Sequence, residues 1–264
     1  MKLDNTIAAV VTGGCSGLGR ASAEALAANG VKVAIFDLNE EVGEPLAKEL
    51  GGVFCKVDIM DEDSVLAGFE KARAANGQER IVVHCAIVAG GGKTVGFDKA
   101  TGGFKRAPTE GFARSMEGIA TASYRVASIA ALGMASADPL NEDGERGSII
   151  LTSSVASQDG QVGQVAYGGG KGAVNAMVLP MARDLMDLGI RVNAIAPGTF
   201  ATPPMLGVKE KAPQIFANLE AAVPFPKRLG NPAEFGSLVV EIARNTYINA
   251  QLIRLDGGIR FQPK

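Results

Sequence analysis

The sequence contains no tryptophan, a single histidine (His84) and only three cysteines. Cys15, Cys55 and Cys85 are odd in number, far apart and without the C-x-x-C spacing of zinc sites, so neither a disulfide framework nor a zinc site is expected. With one histidine, no histidine-ligated metal centre is expected either. Reduced thiols are typical of proteins in a cytoplasmic compartment.

Long hydrophobic runs and a charge of one sign are also missing. No stretch of about 18 consecutive apolar residues is present, as a membrane-spanning helix would require. Near its start the chain carries an acidic residue, Asp4, where a signal peptide would need its apolar region. Lys and Arg (26) nearly balance Asp and Glu (28), so no basic surface for nucleic acid is indicated. We therefore expect a soluble cytoplasmic protein without membrane or nucleic-acid partners.

Glycine, by contrast, is abundant. The 264 residues include 34 glycines, where ordinary usage would give roughly 18. No Gly-x-y period accompanies them, which excludes a collagen-like chain. The excess therefore has to be explained by position.

Short apolar segments alternate with longer segments of helical period. The predicted strands are Ile7–Thr12, Val31–Phe36, Val53–Val57, Ile81–Ala86, Ser148–Thr152, Ile190–Ala194 and Leu252–Leu255. The predicted helices are Arg20–Asn29, Glu40–Leu50, Asp61–Asn76, Thr109–Ala135 and Val165–Leu188. Strands that are apolar throughout require helices on both faces of a parallel sheet. The pattern predicts one α/β domain over residues 1–264, a Rossmann-like, doubly wound parallel sheet of about seven strands.

Two segments interrupt this alternation. Residues 88–108 contain six glycines among lysines and arginine and predict an exposed loop inserted after the fourth strand. Residues 199–229 are rich in proline around a helical stretch at Val208–Ala222 and predict a substrate lid. A proline-stiffened surface connection is the alternative for the second segment. Both follow a predicted strand and are therefore expected at the carboxyl edge of the sheet, where doubly wound folds bind ligands.

A glycine-rich turn joins the first strand to the first helix. Gly13, Gly17 and Gly19 let the backbone approach a pyrophosphate, whose charge would lie at the helix N-terminus. Asp37 follows the second strand, where a carboxylate accepts hydrogen bonds from the adenosine ribose. Because Asp37 would repel a 2′-phosphate, and neither Ser16 nor Leu38 is basic, NAD(H) is favoured over NADP(H). An N-cap role for Asp37 is the structural alternative.

Three polar residues predict acid–base chemistry. Tyr167 and Lys171 are four residues apart in a predicted helix and so project from one face. An ammonium close to a phenol would lower the phenol pKa from about 10, giving a general acid/base near neutral pH. Ser154 lies at the end of a strand and would orient a substrate oxygen. A surface Tyr/Lys pairing without function is the alternative for either residue taken singly.

The order and spacing of these motifs resemble the short-chain dehydrogenase/reductase family over essentially the whole chain. The resemblance implies a catalytic set of Ser154, Tyr167 and Lys171, with Lys171 also binding the nicotinamide ribose. It implies cofactor contacts from Gly13, Ser16, Gly17, Leu18, Gly19, Asp37, Leu38, Asp58, Ile59, Cys85, Ala86, Pro197, Gly198, Phe200 and Thr202, besides Tyr167 and Lys171. The implied assembly is a homotetramer, or less often a dimer.

A narrower resemblance is to the type II 3-hydroxyacyl-CoA dehydrogenases, a group that also oxidises hydroxysteroids and has 17β-hydroxysteroid dehydrogenase activity. It rests on residues 160–164, 223–230 and 253–260. The resemblance implies an NAD(H)-dependent oxidoreductase that interconverts a secondary alcohol and a ketone. The substrate is expected to be 3-hydroxyacyl-CoA-like, hydroxysteroid-like or another cyclic or aromatic alcohol.

The chain departs from the family pattern at two positions. Ile87 replaces the glycine after the fourth strand and would narrow the nicotinamide end. Ile119 replaces an asparagine that supports a helix kink and a water-mediated proton path, although its backbone carbonyl would still be able to hold the water. These departures motivate an alternative, an NAD(H)-binding homologue with weak catalysis and a structural or sensing role. His84, in place of another family asparagine, is expected to be a structural hydrogen bonder rather than a catalytic group.

Gly168, Gly169 and Gly170 separate Tyr167 from Lys171. Each glycine costs about 0.8–1 kcal/mol relative to alanine inside a helix. The trio therefore predicts close packing of this helix against a neighbour, consistent with the implied subunit interface.

Overall fold

The computed structural model describes residues 1–263 as nine strands and ten α-helices. The strands are β1 (Ala8–Thr12), β2 (Lys32–Asp37), β3 (Val53–Lys56), β4 (Glu79–His84), β5 (Val95–Asp98), β6 (Gly103–Arg106), β7 (Gly147–Thr152), β8 (Ile190–Pro197) and β9 (Leu252–Leu255). The helices are α1 (Gly17–Ala28), α2 (Glu40–Glu49), α3 (Glu62–Asn76), α4 (Thr109–Met116), α5 (Ala122–Ala135), α6 (Ala156–Asp159), α7 (Val165–Asp184), α8 (Pro203–Lys211), α9 (Pro213–Ala221) and α10 (Pro232–Arg244).

Seven of the strands form one parallel sheet in the order β3-β2-β1-β4-β7-β8-β9. The direction of winding reverses between β1 and β4, and the crevice at such a reversal is where doubly wound sheets bind ligands. The predicted Rossmann-like sheet of about seven strands is confirmed.

The two faces of the sheet are both buried. Val10 and Val82 pack into one apolar cluster with α3, α5 and α7, and Val11 and Val83 pack into a second cluster with α1 and α10. All five residues of β1 are buried. This two-sided burial is the physical reason why the strands are apolar throughout instead of alternating.

The insertion at residues 88–108 is more ordered than the predicted loop. It contains the antiparallel hairpin β5–β6, in which Phe97 and Phe104 are paired across the strands with ring centroids 5.6 Å apart, edge to face. Both rings are exposed. Glycines around these short strands obscure the period-2 pattern, so the sequence alone favours a loop.

The region after β8 also differs in detail from its prediction. The helical stretch expected at Val208–Ala222 forms two helices, α8 and α9, because Pro213 interrupts it and starts the second. Helix α10 is not among the predicted elements. Its capping box, formed by Asn231 and Glu234, is the sequence signal that would have revealed it.

No helix within residues 1–263 is both long enough and apolar enough to cross a membrane.

Candidate active site

The turn after β1 brings bare backbone to the crevice of the sheet. Gly13 has a φ of +66°, and a Cβ there would lie 2.9 Å from the backbone nitrogen of Ala86. Its N–H donates to the carbonyl of Phe36 at 2.7 Å. Gly17 has a φ of +53°, and a Cβ there would lie 3.2 Å from a Thr202 methyl group. Glycine is therefore required at Gly13 by conformation and by space, and at Gly17 by its positive φ.

Helix α1 starts directly at this turn. Its N-cap residue, Ser16, makes no side-chain capping bond, and the first turn carries no acidic residue, among the residues described. The N–H groups of the first turn have no partner inside the helix, since intrahelical bonding starts with Arg20 to the Ser16 carbonyl. The amides and the positive end of the helix dipole are therefore available to an anion.

Asp37, the last residue of β2, is held in place by two backbone amides. Its Oδ2 accepts from the Cys15 N–H at 3.1 Å, and its Oδ1 accepts from the Asn39 N–H, also at 3.1 Å. Each carboxylate oxygen keeps a further lone pair for a ligand hydroxyl. Asn39, not Asp37, caps α2, so the structural alternative considered for Asp37 is wrong.

A cleft of about 500 Å³, here called the turn cleft, follows the carboxyl edge of β1, β2, β3 and β4. The predicted cofactor residues that line it are Gly13, Ser16, Gly17, Leu18, Gly19, Asp37, Leu38, Asp58, Ile59, Cys85, Ala86 and Thr202. Ile87, the departure from the family glycine, lines it as well. Sequence reasoning missed Phe36, Val57, Val88, Thr152, Pro203 and Pro204, which also line it.

A second cleft of about 420 Å³, the tyrosine cleft, shares Leu18 and Thr202 with the first. The predicted site residues that line it are Ser154, Tyr167, Pro197, Gly198, Phe200 and Thr202. The two clefts therefore adjoin, and the second contains the phenol. Within the described chain, no group of three or more His, Cys, Asp or Glu side chains is arranged to hold a metal.

Ser154, Tyr167 and Lys171 meet where β7 and α7 adjoin. Lys171 is only 2% exposed, and its Nζ donates to the Thr152 carbonyl at 2.5 Å while lying 5.9 Å from the centroid of the Tyr167 ring. The Oγ of Ser154 accepts from the Ala156 N–H at 3.1 Å. The Ser154 hydroxyl hydrogen is therefore free to be donated elsewhere.

Burial controls the pKa values at this centre. Burial raises the pKa of the Tyr167 phenol, and a hydrogen bond with Ser154 opposes part of the rise. Burial lowers the pKa of Lys171 to about 8. The predicted lowering of the Tyr167 pKa by Lys171 is wrong for this arrangement, because the ammonium is directed at the Thr152 carbonyl and lies beneath the ring. Helical spacing places the two side chains on one face but does not determine how deeply each is buried.

His84 is buried at the end of β4, where its Nδ1 lies 2.8 Å from the Thr12 hydroxyl. The same hydroxyl accepts from the N–H groups of Cys85 and Ala86 at 3.1 and 3.2 Å. The hydrogen of the Thr12 hydroxyl is therefore directed to His84 Nδ1. This hydrogen bond fits the expected structural role of His84. Burial, together with the charge of Lys171, lowers the pKa of His84 to about 3. The imidazole is therefore neutral in the folded protein.

This neutral histidine makes folding sensitive to acid. The His84 pKa is about 3 in the folded protein and about 6.5 in an unfolded chain, so its contribution to stability is lost as pH falls from 6.5 towards 3. Between pH 7 and pH 5 that loss is about 2 kcal/mol. We expect His84→Asn to lose about 2 kcal/mol less than the wild type across this interval, measured by urea unfolding at both pH values. Parallel pH dependences would contradict the assignment, whatever the absolute stabilities.

Ile119, at the position of the family asparagine, has a packing role in this structure. Ile119 is fully buried in a single π-helical turn, Glu117–Thr121, between α4 and α5. Its carbonyl accepts the Ser123 hydroxyl at 2.6 Å, and its side chain abuts Gly170 of α7. The helix irregularity is thus present without an asparagine. The expectation of close packing at the glycine trio is confirmed at Gly170.

The glycine trio also supports a matched pair of substitutions. A Cβ at Gly169 meets only the Phe112 ring at 3.9 Å, whereas one at Gly170 lies 3.0 Å from the Ile119 side chain. We expect Gly169→Ala to raise the free energy of unfolding by about 0.8–1 kcal/mol through helix propensity. Gly170→Ala gains the same propensity but is overpacked against the fully buried Ile119, at a cost of about 1–3 kcal/mol, so its free energy of unfolding should fall below that of Gly169→Ala. Chemical denaturation measures both, and equal effects would contradict the packing argument.

Sequence reasoning missed several residues of the tyrosine cleft: Ala156, Gln164, Thr199, Met205 and Phe261. Gln164 lies in residues 160–164, a segment that indicates the family but carries no obvious chemistry. Phe261 is 94 positions from Tyr167 in sequence, and no local pattern announces such a long-range approach.

A family profile described as enoyl-(acyl carrier protein) reductase matches residues 13–260. The chain belongs to the short-chain dehydrogenase/reductase family. The expected resemblance is thereby confirmed, together with the predicted class of enzyme, a nicotinamide-dependent oxidoreductase of alcohols and ketones.

The similarity of this short-chain dehydrogenase/reductase to its relatives covers nearly the whole chain. The 3-hydroxyacyl-CoA dehydrogenase type-2 of Drosophila melanogaster is 42% identical over 256 residues, 96% of this chain and 97% of that protein. A crystal structure of the type-2 enzyme from Mycobacterium avium has a TM-score of 0.89 at 40% identity and covers 100% of both chains. A 7α-hydroxysteroid dehydrogenase, solved with NADH and 7-oxo glycochenodeoxycholic acid, has a TM-score of 0.85 at 26% identity, covering 100% of this chain and 97% of that one.

Proposed function

We propose that the protein interconverts a secondary alcohol and a ketone with NAD(H), using Tyr167 as general acid/base. The observation that carries the proposal is that Ser154 and Tyr167 line one cleft, adjoining the turn cleft, with Lys171 buried beneath the phenol. The names of the relatives favour 3-hydroxyacyl-CoA-like substrates over hydroxysteroid-like and other cyclic or aromatic alcohols.

The turn cleft fits NAD(H). Bare backbone at Gly13 and Gly17 and the free amides of the first turn of α1 suit a pyrophosphate. The anchored Asp37 carboxylate suits two ribose hydroxyls and opposes a 2′-phosphate, which favours NAD(H) over NADP(H). The proposed contacts are the predicted ones that line the two clefts, with Lys171 beneath them.

Bound NAD(H) supplies the hydride acceptor for alcohol oxidation and the donor for ketone reduction. Ser154 donates its hydroxyl hydrogen to the substrate oxygen and so orients the reacting carbon. The Tyr167 oxygen takes the hydroxyl proton in oxidation and returns it in reduction. The Lys171 ammonium, fixed beneath the ring by its hydrogen bond to the Thr152 carbonyl, would bind the nicotinamide ribose. The proton and the hydride thus leave the alcohol from oxygen and carbon, respectively.

A panel of ketones tests the function. We expect NADH-dependent reduction of acetoacetyl-CoA to exceed that of a keto-steroid and of cyclohexanone, followed by the loss of NADH absorbance. The same assay with NADPH should be much slower. Wild-type protein that binds NADH and reduces none of the panel would contradict the proposal.

That outcome would instead support a second candidate, an NAD(H)-binding protein of structural or sensing role. The observation in its favour is the Ile119 carbonyl, which already accepts the Ser123 hydroxyl at 2.6 Å. The same carbonyl accepts from the Ala122 N–H, so both of its lone pairs already have partners within the chain and neither is left for a relay water. Robust turnover of any ketone rules this candidate out.

We further propose a homotetramer, a cytoplasmic location and a single domain with the segment 199–229 as its substrate lid. Support for assembly comes from apolar side chains on α5 and α7 that this chain leaves exposed, among them Tyr124, Leu132, Val165 and Leu179. Sedimentation or light scattering measures the number of subunits.

A further inference from the structure

Residues 259–263, here called the strap, run back along the loop that leads into α7. The Phe261 N–H donates to Asp159 Oδ2 at 3.1 Å, and the Val162 N–H donates to the Pro263 carbonyl at 3.0 Å. The Gln161 side-chain amide donates to the Gln262 carbonyl at 3.0 Å. Three hydrogen bonds therefore attach the strap to the segment immediately before Tyr167.

An arginine on β9 fixes the strap at its other side. The Arg254 guanidinium lies 2.8 Å from Asp159 and 2.7 Å from Asp256, and it donates to the Ile259 carbonyl at 3.0 Å. The side chains of Arg254 and Asp159 are 18% and 16% exposed, so water screens this pair less than a surface pair. Hydrogen bonding from Arg254 holds the pKa of Asp159 below its usual range. The contacts form one network around the backbone of Phe261.

The consequence is that Phe261 forms a wall of the tyrosine cleft. Phe261 lines this cleft together with Ser154, Tyr167, Phe200 and Met205. Met205 belongs to α8, in the segment proposed as a lid, whereas Phe261 is held by the charged network. Of the apolar residues beside the reacting groups, Phe261 is therefore the one whose backbone is held by charged side chains.

We propose that Phe261 determines substrate size and that Arg254 is its positioning residue. This inference rests on the proposed function. A substrate whose reacting carbon lies at Tyr167 has to place one of its apolar substituents against Phe261. The phenyl ring limits the length of that substituent, because the network of Arg254 and Asp159 holds the Phe261 backbone in place and the ring cannot move aside. Shortening the side chain creates room for longer substituents.

The test measures kcat/KM for acetoacetyl-CoA and for successively longer 3-oxoacyl-CoA homologues, with NADH. A methylene in an apolar pocket changes discrimination about 10–200-fold. We expect Phe261→Ala to raise the long-to-short ratio of kcat/KM by about 10-fold or more, and Phe261→Leu to raise it less. NADH affinity, from fluorescence titration, should stay at the wild-type value.

Two further variants sharpen the test. Arg254→Gln should shift the chain-length ratio in the same direction as Phe261→Ala, which a merely destabilised protein would not do. Tyr247→Ala is the matched control, since Tyr247 is 98% exposed and lies beside the start of β8, at the opposite edge of the sheet. It should leave the ratio unchanged.

The possible failures are distinguishable. A wild-type enzyme that is active, with a ratio unaffected by Phe261→Ala and Phe261→Leu, overturns this inference alone. A wild-type protein that reduces no member of the series overturns the proposed function and the inference with it.

Discussion

Replacing Tyr167 with phenylalanine is expected to lower kcat for ketone reduction by about 10²–10⁴-fold, the range that a positioned general acid/base contributes. The substitution removes one oxygen atom and keeps the ring that packs against the buried core. Because the ring is kept, and most of the proposed cofactor contacts line the turn cleft and not the tyrosine cleft, NADH affinity should stay close to that of the wild type. Stopped-flow reduction assays and NADH fluorescence titration measure the two quantities.

The pH dependence supplies an internal control for the same substitution. Burial raises the pKa of the Tyr167 phenol, so alcohol oxidation by the wild type should accelerate as pH increases and the phenol ionises. The residual activity of Tyr167→Phe should lack this acceleration. If Tyr167→Phe turned over a proven substrate at the undiminished rate, or kept the wild-type pH profile, the assignment of Tyr167 as acid/base would be wrong.

Replacing Asp37 with serine is expected to change the preferred coenzyme. Hydrogen bonds to a charged group are worth about 1.5–3 kcal/mol, so kcat/KM with NADH should fall about 10–100-fold. With the anion removed, kcat/KM with NADPH should rise, because the 2′-phosphate no longer meets a negative charge. Steady-state kinetics with both coenzymes give the ratio directly.

A nearby carboxylate serves as the matched control. Glu40 opens α2, lies three residues after Asp37, is largely exposed and pairs with Lys56 at 3.2 Å. Glu40→Ser removes the same charge from the same region and should leave coenzyme preference unchanged. An equal shift in both variants would show that general electrostatics, and not a contact from Asp37, sets the preference.

Much of the fold is predictable from local chemistry. Apolar runs and helical periods gave the seven strands of the main sheet, and glycines followed by a helix gave the turn. What failed was local as well: glycines disguised the β5–β6 hairpin, and Pro213 divided one expected helix into α8 and α9. In these places the deciding feature was a turn or a break, which hydrophobic periodicity does not record.

The candidate site, too, is predictable from the sequence only in part. The order of Gly13, Asp37, Ser154, Tyr167 and Lys171 along the chain is sufficient to expect them at one edge of the sheet, since parallel strands all end there. The direction of each pKa shift is not contained in that order. Burial sets it, and burial depends on everything that packs around α7.

The sequence by itself determined the parallel sheet, the glycine-rich turn after β1 and the residue types that meet at the carboxyl edge, because each follows from short-range patterns. Only the tertiary structure decided the contacts between distant segments. It packs Ile119 against Gly170, directs Lys171 at the Thr152 carbonyl, and brings Phe261 to Asp159 across 102 positions of the chain. These contacts have no local signature, since they arise from the way in which the completed sheet and its helices fill space.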